Sequence, residues 1–374
     1  MLEFLTLKPE SFGLDITDSS LKIAKFKKKG RFLRLTSYLR EEIKPGIIEE
    51  GEIKDEESLA KVIKDSVKNV KGERLKTNYV IASLPEEKAF LEVIQMPKMK
   101  EEELKEAVYF EAENYIPLPI DQVYLDFQIV PPVYDHLDHL DILIAAFPKK
   151  TVDPYVTVFK KAGLQPKVLE IESLAICRAI IKNGLSPFPL LVVDLGANRT
   201  SIIIFSGYSL KFSSLLPVSS QQLSLIISQG LKINFEEAEL LKTKYGLGGK
   251  YKLKIKDGVE KEIEPGKLFE ILSPYLENLS SQIKKYLDYY QTHIIHEHLT
   301  ANIKVIDRII LCGGGANLKG IADFLSLRLK IPVELANPWI NILEEPLKEL
   351  PVLSYEESLT YTTALGLALR GTKE

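Results

Sequence analysis

The sequence predicts an α/β protein built of two duplicated halves, the first of which carries a small inserted βαβ-type subdomain. Three observations carry that expectation. The order strand, Asp, turn, strand, turn, strand runs through residues 12–36 and again through 190–215, which reads as an internal duplication. An apolar run at 308–311 then meets a second kind of turn, Gly313-Gly314-Gly315, ahead of a helical stretch. Between the two copies, residues 85–163 follow a strand, helix, strand, strand, helix pattern of their own.

Taken in order, residues 12–16 form a strand, 21–26 alternate apolar and polar, Lys27-Lys28-Lys29-Gly30 turns the chain and 32–36 return. Leu59, Val62, Ile63, Ser66, Val67 and Val70 have helical spacing, and 79–84 reads as a buried strand. The inserted module opens with a strand at 89–95 that ends at Met96-Pro97. An amphipathic helix follows at 100–115, stopped by Pro117 and Pro119. Strands at 123–130 and 141–147 and a helix at 152–162, capped by Gly163, complete the module. A short strand at 168–171 and a helix at 173–181 lead to a hinge at Asn183-Gly184 and Pro187-Phe188-Pro189. The second copy places strands at 190–194, 201–205 and 210–215, then helices at 221–229 and 235–245. A charged hairpin at 250–264 turns at Asp257-Gly258, and a long helix runs over 274–299. Strands at 308–311 and 333–335 flank a helix at 318–329, and the last helix covers 358–369.

Composition narrows the class. The 374 residues suggest two or three domains, and 45% hydrophobic with 27% charged residues is an ordinary globular balance. A net charge of −3 supplies no field favouring nucleic acid or an anionic membrane. Cys177 and Cys312 lie far apart without metal-site spacing, so they read as small buried residues in a reducing compartment. No apolar run reaches the roughly 18 residues of a membrane-spanning helix, and Met1-Leu2-Glu3-Phe4 lacks the basic flank of a secretory signal. The expectation is a cytoplasmic protein without direct membrane insertion.

Asp15 and Asp194 each stand near the end of a strand. Thr17, Ser19, Ser20 and Lys22 follow the first, and Gly196, Asn198 and Thr200 follow the second. An acid beside a turn of backbone N–H groups suits a metal-bound polyphosphate, and two such turns can grip it from both sides. The plain alternative is that each Asp caps its own turn; the duplication favours the ligand reading. Gly313, Gly314 and Gly315, with Asn317 after them, let a base or sugar approach bare backbone. Glu239 and Lys242, three apart, share a helix face. The histidines, His136, His139, His293, His296 and His298, complete no metal motif and read as surface residues.

These motifs, in this order, resemble those of the actin/Hsp70/sugar-kinase ATPase superfamily. Further segments resemble the PilM family of actin-like, FtsA-related type IV pilus assembly proteins. They are Gln95-Met96-Pro97-Lys98-Met99, Glu111-Ala112-Glu113-Asn114-Tyr115-Ile116-Pro117, Ala238-Glu239-Leu240-Leu241-Lys242-Thr243-Lys244-Tyr245-Gly246, Asn337-Pro338-Trp339, and Ala364-Leu365-Gly366-Leu367-Ala368-Leu369-Arg370-Gly371. The resemblance implies actin-like, Hsp70-type duplicated ATPase domains. Residues 1–185 with a C-terminal return at 340–374 would form the first half, its inserted subdomain at about 85–165. Residues 186–339 would form the second half, with a small subdomain at about 230–300.

The same resemblance implies ATP and Mg2+ as cofactors. Asp15 and Asp194 are then the metal acids, acting through water, and Ser19, Ser20, Lys22, Gly196, Asn198 and Thr200 surround the phosphates. Gly313, Gly314, Gly315 and Asn317 face the adenosine, and Glu239 and Lys242 the ribose. Glu172, within Glu170-Ile171-Glu172-Ser173, matches the position that orients an attacking water, with Ser173 where the family has Pro; the chain is then at most a slow ATPase. Thr17 stands where the family usually has Gly, and a β-branched residue narrows the approach to phosphate.

The implied partner is the cytoplasmic N-terminal peptide of the inner-membrane protein PilN, docked in a cleft beside the inserted subdomain. Other inner-membrane and motor components of the pilus join it, self-association stays open, and location at the inner face of the inner membrane follows through PilN. An FtsA-like filament protein of cell division is the alternative within the fold. The sequence stops three residues after Gly371, without that protein's amphipathic tail, which favours the pilus reading. A small-metabolite kinase of the superfamily is the enzymatic alternative.

Overall fold

The alternation at the start of the chain folds as two antiparallel pairings: β1 (Phe12–Ile16) with β2 (Ser20–Lys29), and β2 with β3 (Phe32–Glu42). The computed structural model describes residues 9–30, 32–132, 138–248, 251–254, 260–264, 266–293, 305–343 and 350–373. A small hairpin, β4 (Ile48–Glu49) and β5 (Glu52–Ile53), precedes α1 (Glu56–Lys68), which Asp55 caps by accepting from the Ser58 N–H. β6 (Lys71–Gly72) pairs with β3 at one edge of the sheet. On its other side β1 pairs in parallel with β7 (Tyr79–Leu84), and β7 pairs with β11 (Gln165–Ile171). The strand order is β11-β7-β1-β2-β3-β6.

The chain between β7 and β11 builds the inserted sheet. β8 (Phe90–Pro97), α2 (Glu101–Ala112), β9 (Val123–Val130) and β10 (His139–Pro148) give a three-stranded antiparallel sheet with β10 in the middle. Leu104, Val108 and Ala112 of α2 pack with Ile94, Ile142 and Ile144 in a core of its own. The module's second expected helix, α3 (Lys149–Lys161), behaves differently. Tyr155, Val158 and Phe159 lie in the cluster of Phe12, Leu14 and Leu59, so α3 covers the parent sheet rather than the inserted one.

After α4 (Glu172–Ile180) the pattern repeats. β12 (Ser186–Leu195), β13 (Thr200–Gly207) and β14 (Ser209–Leu216) lead to α5 (Ser220–Leu231) and α6 (Phe235–Lys244). A hairpin of β15 (Tyr251–Lys254) and β16 (Glu260–Ile263) follows; its turn at Asp257-Gly258 lies outside the described residues. α7 (Lys267–His293) starts before the expected Pro274, because Leu268 and Leu272 extend its buried stripe by two turns. Residues 294–299, with His296 and His298, lie outside the described residues, as does His136.

β17 (Arg308–Cys312), α8 (Ile321–Leu329) and β18 (Val333–Leu335) finish a sheet of order β14-β13-β12-β17-β18. Its central and outer strands repeat the order β3-β2-β1-β7-β11, with the same parallel pairing after the hairpins. The last expected helix arrives as two, α9 (Tyr355–Thr360), capped by Ser354, and α10 (Thr362–Lys373). The chain divides into two units, residues 1–187 with 205–213 and 337–374, and residues 188–204 with 214–336. Among the described residues no helix is long and apolar enough to cross a membrane.

In the first unit α10 lies on the sheet and crosses α4 at a glycine. A Cβ at Gly366 would stand 1.9 Å from the Ala175 carbonyl oxygen, and one at Gly13 would stand 2.5 Å from that of Ala364. Beside the crossing, the buried Glu170 carboxylate accepts from Arg178 Nη2 at 2.8 Å and Arg370 Nη1 at 2.6 Å. Two guanidinium groups thus satisfy one carboxylate that burial alone would penalise. Asn341 Nδ2 closes the far end of α4 by donating to the carbonyls of Arg178 at 3.0 Å and Ile181 at 2.7 Å. At the near end, Glu86 is buried and its Oε2 accepts from the Ser173 N–H at 3.1 Å. Burial holds the Glu86 carboxyl above the ordinary glutamate range.

Two outcomes follow. Gly366→Ala has no room to relax against backbone and should lower the unfolding free energy by about 3 kcal/mol in urea titrations, with little change in slope. For Glu86, the raised value in the folded state means that its stabilising share is present below pH 4.5 and lost as pH rises through the folded value. Glu86→Gln keeps an acceptor for Ser173 and should raise the melting temperature at about pH 8 while matching the wild type at about pH 4.

Candidate functional site

Three neighbouring parallel strands of the first unit end at one edge, and each brings a polar residue there. Asp15 is on β1, Ser83 on β7, and Glu172 directly follows β11. The pairing sets Leu14 opposite Ala82 and Ser83 opposite Glu170, which draws Ser83 level with Asp15. Ser83 Oγ donates to Asp15 Oδ1 at 3.2 Å and accepts from the Ile16 N–H at 3.1 Å. Asp15 also faces Lys22 across the β1–β2 pairing, where Lys22 Nζ donates to Asp15 Oδ2 at 2.9 Å. The carboxylate is buried, at 2% exposure, so these donors substitute for water.

The turn between the strands is stitched by Thr17. Its N–H and Oγ1 donate to the Ser20 carbonyl at 2.9 and 3.1 Å, and Ser20 N–H donates back to Thr17 Oγ1 at 3.2 Å. Thr17 is absent from the residues with positive φ, so the turn needs no glycine there. Ser19 contributes its carbonyl to the Ile43 N–H at 3.0 Å. Glu172, 8% exposed, stands in the first turn of α4 beside Ser173 and its Glu86 partner.

The second unit repeats the arrangement with a wider turn. Asp194 is opposite Cys312 in the parallel β12–β17 pair, so Gly313 comes directly against it. Gly313 has φ +80, and a Cβ there would stand 2.3 Å from Asp194 Oδ1 and 2.7 Å from the Leu195 carbonyl oxygen. Only glycine fits both the conformation and the gap. The buried Cys312 donates from Sγ to Asp194 Oδ1 at 3.6 Å. Gly314, Gly315 and Asn317 form a single 3-10 turn after Gly313, ahead of α8.

The carbonyls of Gly196 and Ala197 accept from the Ser220 and Gln221 N–H groups at 2.9 and 3.1 Å, docking the Asp194 turn on the start of α5. Lys242 of α6 clamps the same point. Its buried Nζ donates to the Ser220 carbonyl at 2.9 Å, Ser220 Oγ at 2.8 Å and Glu239 Oε2 at 2.7 Å. Burial draws the Lys242 amine below its usual range, against the pull of Glu239. Ser224 Oγ donates to the same Glu239 oxygen.

Within each unit, then, most of the expected residues converge. Asp15, Ser20 and Lys22 share one turn with Ser19; Asp194, Gly196, Gly313, Gly314, Gly315, Glu239 and Lys242 surround the start of α5. Asn198 is exposed on its turn, while Thr200 is fully buried and its hydroxyl donates to the Val218 carbonyl at 2.6 Å, pinning the hairpin. Ser83, Ser220 and Ser224 were not among the expected residues. Ser83 had one signal, as the lone serine in the apolar run 79–84; Ser220 had only its place at a helix start. The donors gathered at these strand ends are carboxylates, hydroxyls and ammonium groups, the set that suits Mg2+ and phosphate oxygens. Strand C-terminal ends are also where open α/β sheets receive ligands.

A family model, described as type IV pilus assembly protein PilM, matches residues 13–372. Among solved structures, the PilM-PilN type IV pilus biogenesis complex aligns with a TM-score of 0.75 at 25% identity, covering 98% of this chain and 100% of the other. MreB5 of Spiroplasma citri bound to AMPPNP aligns with a TM-score of 0.55 at 14% identity, covering 98% of this chain and 96% of that one, a likeness of fold. Among curated proteins, the cell division protein FtsA of Enterococcus hirae is 25% identical over 229 residues, 58% of this chain and 50% of its own length. FtsA of Helicobacter pylori strain 26695 is 28% identical over 203 residues, 51% of this chain and 40% of its own. The chain therefore spans half or less of the length of these two curated relatives. The profile match over nearly the whole chain, on an actin-like fold with duplicated sheets, places this protein in the PilM family of type IV pilus assembly proteins.

Proposed function

We propose that this chain is a cytoplasmic nucleotide-binding scaffold of type IV pilus assembly, taking ATP with Mg2+ and docking the N-terminal cytoplasmic peptide of PilN. One observation carries the nucleotide part. Asp194, the glycine turn at 313–315, the start of α5 and the Lys242–Glu239 pair meet at the C-terminal ends of parallel strands, and Asp15 repeats the first of these in the duplicated sheet. In this reading Asp15 and Asp194 hold the metal through water. Gly196 and Asn198 line the phosphates with Ser19, Ser20 and Lys22, while Thr200 acts by holding the second turn in shape. Gly313, Gly314, Gly315 and Asn317 receive the adenosine, and Glu239 the ribose, with Lys242 acting by holding Glu239 and the start of α5 in place. Glu172 orients water for at most slow hydrolysis.

The partner part is supported by the likeness to a chain of the PilM-PilN complex over 98% of this chain and 100% of that one. The inserted subdomain carries exposed apolar side chains, Phe110 on α2, Tyr115 just after it and Tyr124 on β9 among them, that a peptide can cover. Docking of PilN would bring the chain to the inner face of the inner membrane.

Calorimetry with Mg-ATP should show binding that Asp194→Ala weakens about tenfold or more, a loss of about 1.4 kcal/mol; equal affinity in the variant would remove Asp194 from the site. Amide exchange with a synthetic peptide of the cognate PilN N-terminus should show protection within residues 85–165. Protection confined to residues 188–336 would overturn the docking surface.

A further inference from the structure

The turn between β1 and β2 holds an acid that the nucleotide reading leaves unused. Asp18 lies at the centre of the Thr17–Ser20 turn, where phosphate is proposed to sit, and an anion there repels phosphate unless its charge is engaged elsewhere. It is engaged. Asp18 Oδ1 accepts from the Gly51 N–H at 3.0 Å, and Oδ2 from the Glu50 N–H at 3.2 Å. These are the two tip residues of the β4–β5 hairpin, and both have positive φ, 50 for Glu50 and 74 for Gly51. Successive N–H groups in that conformation converge on an anion, and here the anion is the protein's own.

The hairpin tip in turn rests on the root of the inserted module. A Cβ at Gly51 would stand 2.5 Å from Pro85 Cβ and 2.7 Å from Glu87 Oε1. The Gly51 carbonyl accepts from Tyr155 Oη at 3.1 Å, and Lys88 Nζ pairs with Glu52 at 3.2 Å. Residues 85–89 join β7 to the inserted strand β8, and Glu86 among them holds the N-terminus of α4 next to Glu172. Asp18 is therefore one hydrogen bond from the hairpin tip, and the tip is in van der Waals contact with the segment that carries the module.

We propose that Asp18 is a positioning residue that ties the first nucleotide turn to the root of the inserted module at Pro85–Lys88, so that nucleotide binding is communicated to the module. This rests on the nucleotide and docking reading above. When a polyphosphate closes the 17–20 turn, Asp18 moves with it and drags or releases the Glu50-Gly51 tip. Because the tip has no space against Pro85, the displacement passes to β8. By linkage, occupation of the module shifts nucleotide affinity by the same factor.

The test pairs calorimetry with amide exchange on the full chain, using Mg-ATP alone as the probe. In the wild type, heat of binding should accompany slowed exchange at residues 48–53 and 85–97. In Asp18→Ala, affinity for Mg-ATP should be equal or higher, since a negative charge leaves the turn, while the response at 85–97 disappears. Tyr155→Phe leaves the nucleotide turn intact and should diminish that response without changing affinity. A wild-type response at 85–97 that survives unchanged in a folded Asp18→Ala overturns the proposal, as does a silent module in a wild type that binds. Absence of binding heat in the wild type removes the nucleotide reading itself, and with it this coupling, and calorimetry separates that result from the other two. Should Asp18→Ala fold poorly, Asp18→Asn, which keeps one acceptor for Gly51, is expected to retain part of the response; full retention would count against the tether.

Discussion

The first half of this protein depends on a contact that leaves no room for a side chain. Helix α10 is carried back from the end of the chain onto β1 and across α4, and Gly13 and Gly366 are where backbone meets backbone. Everything at the strand ends inherits its position from that packing. β1 holds Asp15, α4 holds Glu172, and Glu170 pins both helices through Arg178 and Arg370. Such a joint resists substitution because neither neighbour is a flexible side-chain end that can give way.

The second half uses the same device nearer the candidate site. Gly313 is pressed against Asp194 and Leu195, so the glycine turn and the acidic turn form one rigid corner. Lys242 then fastens that corner to α5 and α6 through three acceptors. A buried ammonium is costly unless its hydrogens are all taken, and here they are. The corner is thus held in shape by protein contacts alone, which is the preorganisation a polyphosphate site needs.

The two turns differ in how their acids are treated. Asp15 is buried, neutralised at close range by Lys22 and hydrogen-bonded by Ser83, whereas Asp194 is half-buried and meets a weak thiol donor. Asp18, a third acid on the first turn, has its charge taken up by the hairpin at residues 50 and 51. The duplicated sheets therefore share topology but not electrostatics, as expected when one fold unit is copied and its turns then diverge.

Much of the architecture was legible in the sequence because it is local. Strand alternation, the glycine turn and the Asp near each strand end depend on neighbours a few residues away, and these read correctly as a duplicated α/β fold, which the resemblance of the motifs to a known superfamily made actin-like. The start of α7 was misjudged because Pro274 is a strong local signal that the buried Leu268 and Leu272 override. What tertiary structure alone decided is which side chains meet. Ser83 reaches Asp15 across 68 positions, Tyr155 reaches Gly51 across 104, and Arg370 reaches Glu170 across 200. α3 belongs to the parent core rather than to the inserted sheet for the same reason. Periodicity fixes the face a residue presents, but the partner on that face is set by sheet register and helix packing, and no local pattern encodes either across such separations.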